Sequence, residues 1–395
     1  MLYFVVLSTE EKGMRVNKLF LRFSLFLVPV FLASSLFARG NPGLAGVQRL
    51  AMLPPGPDNP RNSEGSFVQL KDGRLLFAYS RFYGEKGSDY ARASLVYRYS
   101  LDAGSTWSPV DIPLVSTDGF LNVMSVSFLR LQDGRIALFY VGKKSVSDAK
   151  VYVRYSSDEA RTWSKPVLCI NGSGYYVLNN DRVIQTRTGR ILVPVALQSN
   201  MGKFTERGEV MAYLSDDDGK TWRRSQSVLR CPASKDGFQE PGAVELKSSQ
   251  IMMFMRTSMG SQYLSWSGDE GGHWTQPVPS SIKSPLSPAS IKRIPSTGDL
   301  LLVWNDHSNV PPSFLASNHS FGKRTPLTVA ISKDDGKTWI HARNLLTDPN
   351  GCYCYTAIAF VQNRVLLGFS TTQNHLPCLS VLELMGFPIK SLYRN

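Results

Sequence analysis

Residues Ser332 to Trp339 read SKDDGKTW, a frame with serine first, aspartate third and tryptophan last. It occurs four more times, as SLDAGSTW (Ser100 to Trp107), SSDEARTW (Ser156 to Trp163), SDDDGKTW (Ser215 to Trp222) and SGDEGGHW (Ser267 to Trp274). The first serines lie 56, 59, 52 and 65 residues apart. Six further segments interleave with the boxes: VQLKDGRLL, LRLQDGRIAL, IQTRTGRILV, VELKSSQIMM, RIPSTGDLLL and FVQNRVLL. Each joins two β-rich runs through a tight polar turn, which predicts a hairpin. A third strand leads into each box, as in SLVYRYS and VYVRYS, and a fourth follows the tryptophan. Four strands repeated at this period predict an all-β propeller, and six hairpins predict six blades. The 357 residues after Ala38 then supply about 59 per blade. A strand near Val47 to Leu53 is expected to close the ring, because closure removes exposed edges. In the boxes, Ser and Asp side chains bond their own turn, Gly supplies positive φ and Trp packs between sheets, so the box is structural.

The 395 residues are 43% hydrophobic and 19% charged, which excludes a disordered chain. Net charge is +13, from 44 Lys and Arg against 31 Asp and Glu. That excess suits an acidic partner. No basic run carries interleaved aromatics, so no nucleic-acid partner is expected. Residues 23–38 read FSLFLVPVFLASSLFA and follow Arg15, Lys18 and Arg22. This layout predicts a signal peptide over residues 1–38, with Met14 as an alternative start, a mature propeller over 39–395 without a membrane span, and a periplasmic or extracellular location. Five cysteines leave at least one thiol free, and Cys352 and Cys354 are too close in sequence for an easy mutual disulfide. The absence of CxxC, HExxH and close His pairs predicts no metal site and no cofactor.

In an up-and-down blade the hairpin turns and the boxes share one face, so functional side chains belong at the opposite end of the strands. There, before or early in the inner strands, stand Glu64, Asn122, Asn179, Asn180, Asp181, Arg182, Glu240, Tyr353 and Tyr355. After the second strands come Arg81, Gln198, Arg256, Asn305, Asp306 and His307, and before third strands Asp89 and Arg324. Each residue alone fits a solvated loop, a cap or a salt bridge; their common place in the repeat predicts one axial pocket.

Several of these segments resemble the sialidase superfamily, specifically exported bacterial BNR-repeat sialidase-like proteins, over residues 47–390. QEPGAVEL followed by MFMRTS resembles the stretch with that family's glutamate and second arginine, here Glu240 and Arg256. KRTPLTVAIS resembles the third-arginine segment, Arg324; CYCYTAI the nucleophile strand, Tyr355; and GSDYARASLVYRYS the acid/base segment, Asp89. The resemblance implies a retaining exo-glycosidase that releases a terminal sialic acid or related acidic sugar, acting as a monomer on an anionic glycan. In that mechanism a neutral tyrosine attacks because the substrate carboxylate repels an anionic nucleophile, and arginines grip that carboxylate. One departure concerns the family's first arginine, in an Arg-Ile-Pro motif: here NSEGSFVQL places Ser63 and Glu64 there, and Arg293-Ile294-Pro295 falls at a hairpin turn on the other face. Arg81, Arg182 and Arg61 are the candidates for a third guanidinium. Two rival readings follow: a related hydrolase for another glycan, its pocket defined by Glu64, Asp181, Asp306 and His307, and a non-catalytic glycan-binding propeller.

Overall fold

The computed structural model describes residues 43–394 except 86, 118, 201–202, 312–313, 315–320 and 373–375. The segment read as a signal peptide lies outside the described residues. Among them the chain is all-β with almost no helix; Ile389–Tyr393 forms a single short 3-10 turn. No helix among the described residues is long and apolar enough to cross a membrane.

The sheets form a propeller-like arrangement. Four have four strands each: Asn62–Gln69, Leu75–Phe82, Ala93–Ser100 and Ile112–Val115; Gln239–Glu245, Ile251–Arg256, Ser261–Ser267 and Val278–Lys283; Ser290–Arg293, Leu300–Trp304, Leu327–Ser332 and Ile340–Leu346; and Cys354–Val361, Arg364–Thr371, Val381–Pro388 and Gln48–Leu53. The fourth joins the two ends of the described chain, because Gln48–Leu53 pairs antiparallel with Val381–Pro388. A nine-stranded sheet spans Asn122 to Arg224, where Tyr175–Val177 bridges the strand Ala149–Ser156 on one side and Ile191–Asn200 on the other.

Apolar residues of adjoining sheets meet in buried clusters between them. Val68, Leu76 and Leu95 pack on Val126, Phe128 and Leu138, and Val244, Met252 and Phe254 pack on Ile291, Leu302 and Trp304. The alternation of each strand supplies one face to each neighbour, which is why buried runs here are nearly continuous. The box tryptophans close these interfaces from the turn end: the Trp107 ring lies 6.0 Å from Phe67, and Trp163 stacks 6.2 Å from Phe128. Within a box, Ser100 Oγ donates to Asp102 Oδ1 at 2.8 Å, while Asp102 accepts from Thr106 N and Oγ1 at 2.8 and 2.7 Å.

At their other end, four inner strands share a defect. Register breaks between Ser63 and Ser66, Met124 and Ser127, Gln239 and Gly242, and Cys354 and Ala357. Each break encloses a bulge whose first residue has left-handed φ: Glu64 at 58°, Ser125 at 60°, Glu240 at 46° and Tyr355 at 56°. Asp181 adopts the same conformation, at 59°. Non-glycine residues there store roughly 1–3 kcal/mol of strain each, and bulges of this kind re-aim side chains.

Candidate active site

Glu64, Ser125, Glu240 and Tyr355 all line one pocket of about 240 Å³. Farther along the same strands, Phe67, Phe128, Val244 and Ile358 line a separate cavity at the hairpin-turn end. On one wall of the pocket Tyr355 Oη donates to Glu240 Oε1 at 2.9 Å, and Arg256 Nη1 pairs with Glu240 Oε2 at 2.5 Å and reaches Tyr355 Oη at 3.4 Å. Burial, then the Glu240 charge, pushes the Tyr355 phenol up against the opposing pull of Arg256 and Arg324, so it is neutral with its proton aimed at a carboxylate. Arg324 is buried behind this wall, its guanidinium 5.5 Å from the Tyr355 ring centroid and 4.3 Å from that of Phe321, with Nη1 3.2 Å from Cys354 Sγ.

The facing wall carries four charges. Arg61 Nη1 donates to Asp89 Oδ1 at 2.6 Å and Nη2 lies 3.4 Å from Glu64 Oε1. Glu64 Oε2 accepts from Ser125 Oγ at 2.8 Å, and Lys143 Nζ donates to the Asp89 carbonyl at 2.9 Å. Burial lifts the Glu64 carboxyl to about 7 despite Arg61. Burial would lift Asp89 too, but Arg61, Lys143 and Arg256 hold it at about 2, and its side chain is half-exposed. Two cations thus balance two carboxyls on this wall, while Arg256 and Arg324 are set against Glu240, with Asp236 also lining the pocket.

Of the residues singled out in the sequence, Glu64, Asp89, Asn179, Gln198, Glu240, Arg256 and Tyr355 line this pocket, with Arg324 packed behind it. Others do not reach it. Arg81 shares a strand face with Tyr79, and both engage Asp111 at the sheet edge, Arg81 at 2.9 Å; two-residue alternation turns it away. Arg182 donates to Ala289 O at 2.6 Å and Ser290 Oγ at 3.1 Å, and burial draws it down to about 10. Asp181 pairs with Lys292 at 2.7 Å and accepts from Ile358 N and Ser66 Oγ, so it joins sheets along the axis instead of facing solvent. Asn180 Nδ2 donates to Gly65 O and to Tyr355 O, steadying the backbone of two bulges. Asp306 Oδ1 accepts from Ser308 N, and His307 lines a neighbouring cleft with Nε2 3.1 Å from Thr325 O. Arg293 pairs with Asp335 at the turn end. The sequence reading passed over Lys143, Tyr90, Tyr175 and Gln239 in the pocket; Lys143 ends a second strand, the position that singled out Arg256, and was legible on that rule.

Cys352 pairs with Cys378, leaving Cys169, Cys231 and Cys354 as free thiols. The sulfurs of Cys352, Cys354 and Cys378 lie within 4.8 Å of one another, but the disulfide consumes two of them, so the cluster is a poor metal cage.

Residues 122–367 match the family model described as a BNR repeat-like domain. Among solved structures, a protein of unknown function from Dyadobacter fermentans superposes with a TM-score of 0.67 at 20% identity, covering 87% of this chain and all of that one. The intramolecular trans-sialidase of Ruminococcus gnavus gives 0.66 at 14% identity, over 85% of this chain and 96% of that one. Trypanosoma rangeli sialidase gives 0.66 at 14% identity, over 88% and 60%. At these identities the likeness is one of fold.

Proposed function

Because this chain belongs to the BNR repeat-like family and has a sialidase-like fold, we propose that it is a retaining exo-glycosidase for a terminal acidic sugar. We read the nine-stranded sheet as two units joined through Tyr175–Val177, which with the four separate sheets makes six blades around the pocket. A buried cluster supports this reading, since Phe139, Val141 and Val153 pack on Val193, Val195 and Met211 within that sheet as neighbouring sheets do elsewhere.

The observation that carries the function is the Tyr355–Glu240 hydrogen bond under Arg256. Tyr355 Oη attacks the anomeric carbon while Glu240 takes its proton, and Asp89 protonates the departing oxygen. In the second half Asp89 takes a proton from water, the water oxygen bonds to the anomeric carbon, and Tyr355 leaves with the proton that Glu240 returns. Asp89 is ionised in the open pocket; a substrate that covers its exposed edge and brings a negative charge raises its proton affinity, so its acid role is acquired on binding. Arg256 holds the sugar's acidic group by charge-assisted hydrogen bonds, while Arg324, buried behind the wall, adds positive charge without touching the sugar. Glu64 favours a hydroxyl-bearing edge of the sugar on the opposite wall.

The test is release of free sugar from aryl glycosides that include a sialoside. Tyr355→Phe is expected to lower kcat by about a thousandfold or more with little change in folding. Unchanged turnover in that variant would remove the nucleophile assignment, and binding without turnover of any glycoside would favour a glycan-binding propeller.

A further inference from the structure

A second cleft, of about 350 Å³, adjoins the central pocket, and Leu286 and Phe321 line both. Its other walls are Ser258, Gly260, Lys283, Ser284, Pro285, His307, Gly322 and Lys323. No carboxylate lines it, although Asp306 stands close enough to His307 to act on its charge, and no carboxylate within ion-pair distance of Lys283 or Lys323 is found among the described residues. Lys323 Nζ lies 4.7 Å above the Phe314 ring, a contact that places the ammonium without neutralising it. Arg324 adds positive charge beneath the dividing ridge, stacked under Phe321 with Nη2 3.4 Å from Leu286 O. Burial lowers the His307 pKa below its ordinary value, so at neutral pH the imidazole offers hydrogen bonds without charge. An aromatic face, apolar Pro285 and Leu286, hydroxyls and two uncompensated ammonium groups suit a sugar ring that carries an anion.

On the glycosidase reading a pocket of about 240 Å³ takes one terminal sugar, so the remainder of a glycan continues over its rim. We propose that the cleft beyond Leu286 and Phe321 is a subsite for a negatively charged sugar of that remaining glycan, with Lys283 and Lys323 contacting its carboxylate or sulfate. The proposal rests on the glycosidase reading of the central pocket. It gives His307 a role at a subsite, separate from the bond-breaking groups.

The experiment presents one terminal sugar on four leaving groups: a neutral aryl group, a neutral disaccharide, a uronate-containing disaccharide and a sulfated one. The wild type is expected to prefer at least one anionic leaving group over the neutral disaccharide by about five- to tenfold in kcat/KM at low salt, with the difference mainly in KM and fading as salt is raised. The uronate and sulfate arms identify which anion is read. In Lys283→Ala/Lys323→Ala the ratio falls to about one, whereas Lys283→Arg/Lys323→Arg keeps it. Equal kcat/KM for charged and neutral disaccharides in the wild type, or a preference that survives the double alanine variant, overturns the proposal. If no leaving group is released from any substrate, the glycosidase reading fails. The subsite is then judged by titrating the uronate and sulfated disaccharides into wild type and double variant: tighter binding to the wild type retains it, and equal or absent binding removes it.

Discussion

At Glu64, position and protonation are coupled. Its carboxyl is raised from 4.5 to about 7, so the folded protein holds that proton more tightly than the unfolded chain does. Its favourable contribution is complete below about 4.5 and is lost as pH rises through 7. Asp89 runs the other way: its contribution is present above 3.8 and is lost as pH falls towards 2. Glu64→Gln, which keeps the shape and removes the titration, is expected to gain about 2 kcal/mol of stability on the wild type between pH 5 and pH 8. Urea unfolding at both pH values checks this, and parallel pH slopes for the two proteins would contradict it. The sequence showed Glu240, Arg256 and Tyr355 clearly, because each lies in a motif at a fixed point of the repeat. It could not show that Arg61 bridges Asp89 and Glu64, or that Asp181 and Arg182 are consumed by partners from distant strands, since those partners are set only by how the sheets face one another.

At the scale of the element, the box and hairpin carry the clearest sequence signal because their hydrogen bonds close within eight residues. Ser156 is buried; its hydroxyl donates to Asp158 Oδ1 at 2.8 Å and accepts from Ala160 N at 2.9 Å. Ser156→Ala leaves that N–H without its acceptor and is expected to cost about 1–2 kcal/mol in thermal or urea unfolding, while kcat per folded molecule is unchanged. A parallel fall in kcat would mean that the box reaches the pocket. Arg81 shows where local reading ends. Its place after a second strand matched Arg256, but its partner Asp111 follows the box, and nothing local announces that pairing.

For the molecule as a whole, the described chain is tied where its two ends meet. Gln48–Leu53 covers the edge of Val381–Pro388, reinforced by Arg49 Nε 2.7 Å from the buried carboxylate of Glu383. Deleting residues 1–53 bares that edge and is expected to lower the melting temperature by about 10 °C or more and to promote aggregation, as read by calorimetry and light scattering. An unchanged melting temperature would show that closure adds no stability. The propeller-like arrangement was legible from the repeated hairpins, but the junction through Tyr175–Val177 was not, because that bridging strand belongs to no repeat. The left-handed bulge recurs with Glu64, Ser125, Glu240 and Tyr355 as tenants, so it behaves as a socket whose shape is indifferent to its occupant provided that side chain is not β-branched. Exchanging tenants among sockets would rewrite the chemistry of the cavity while the ladders behind it stay in register, so that catalytic repertoire and scaffold can diversify on separate schedules.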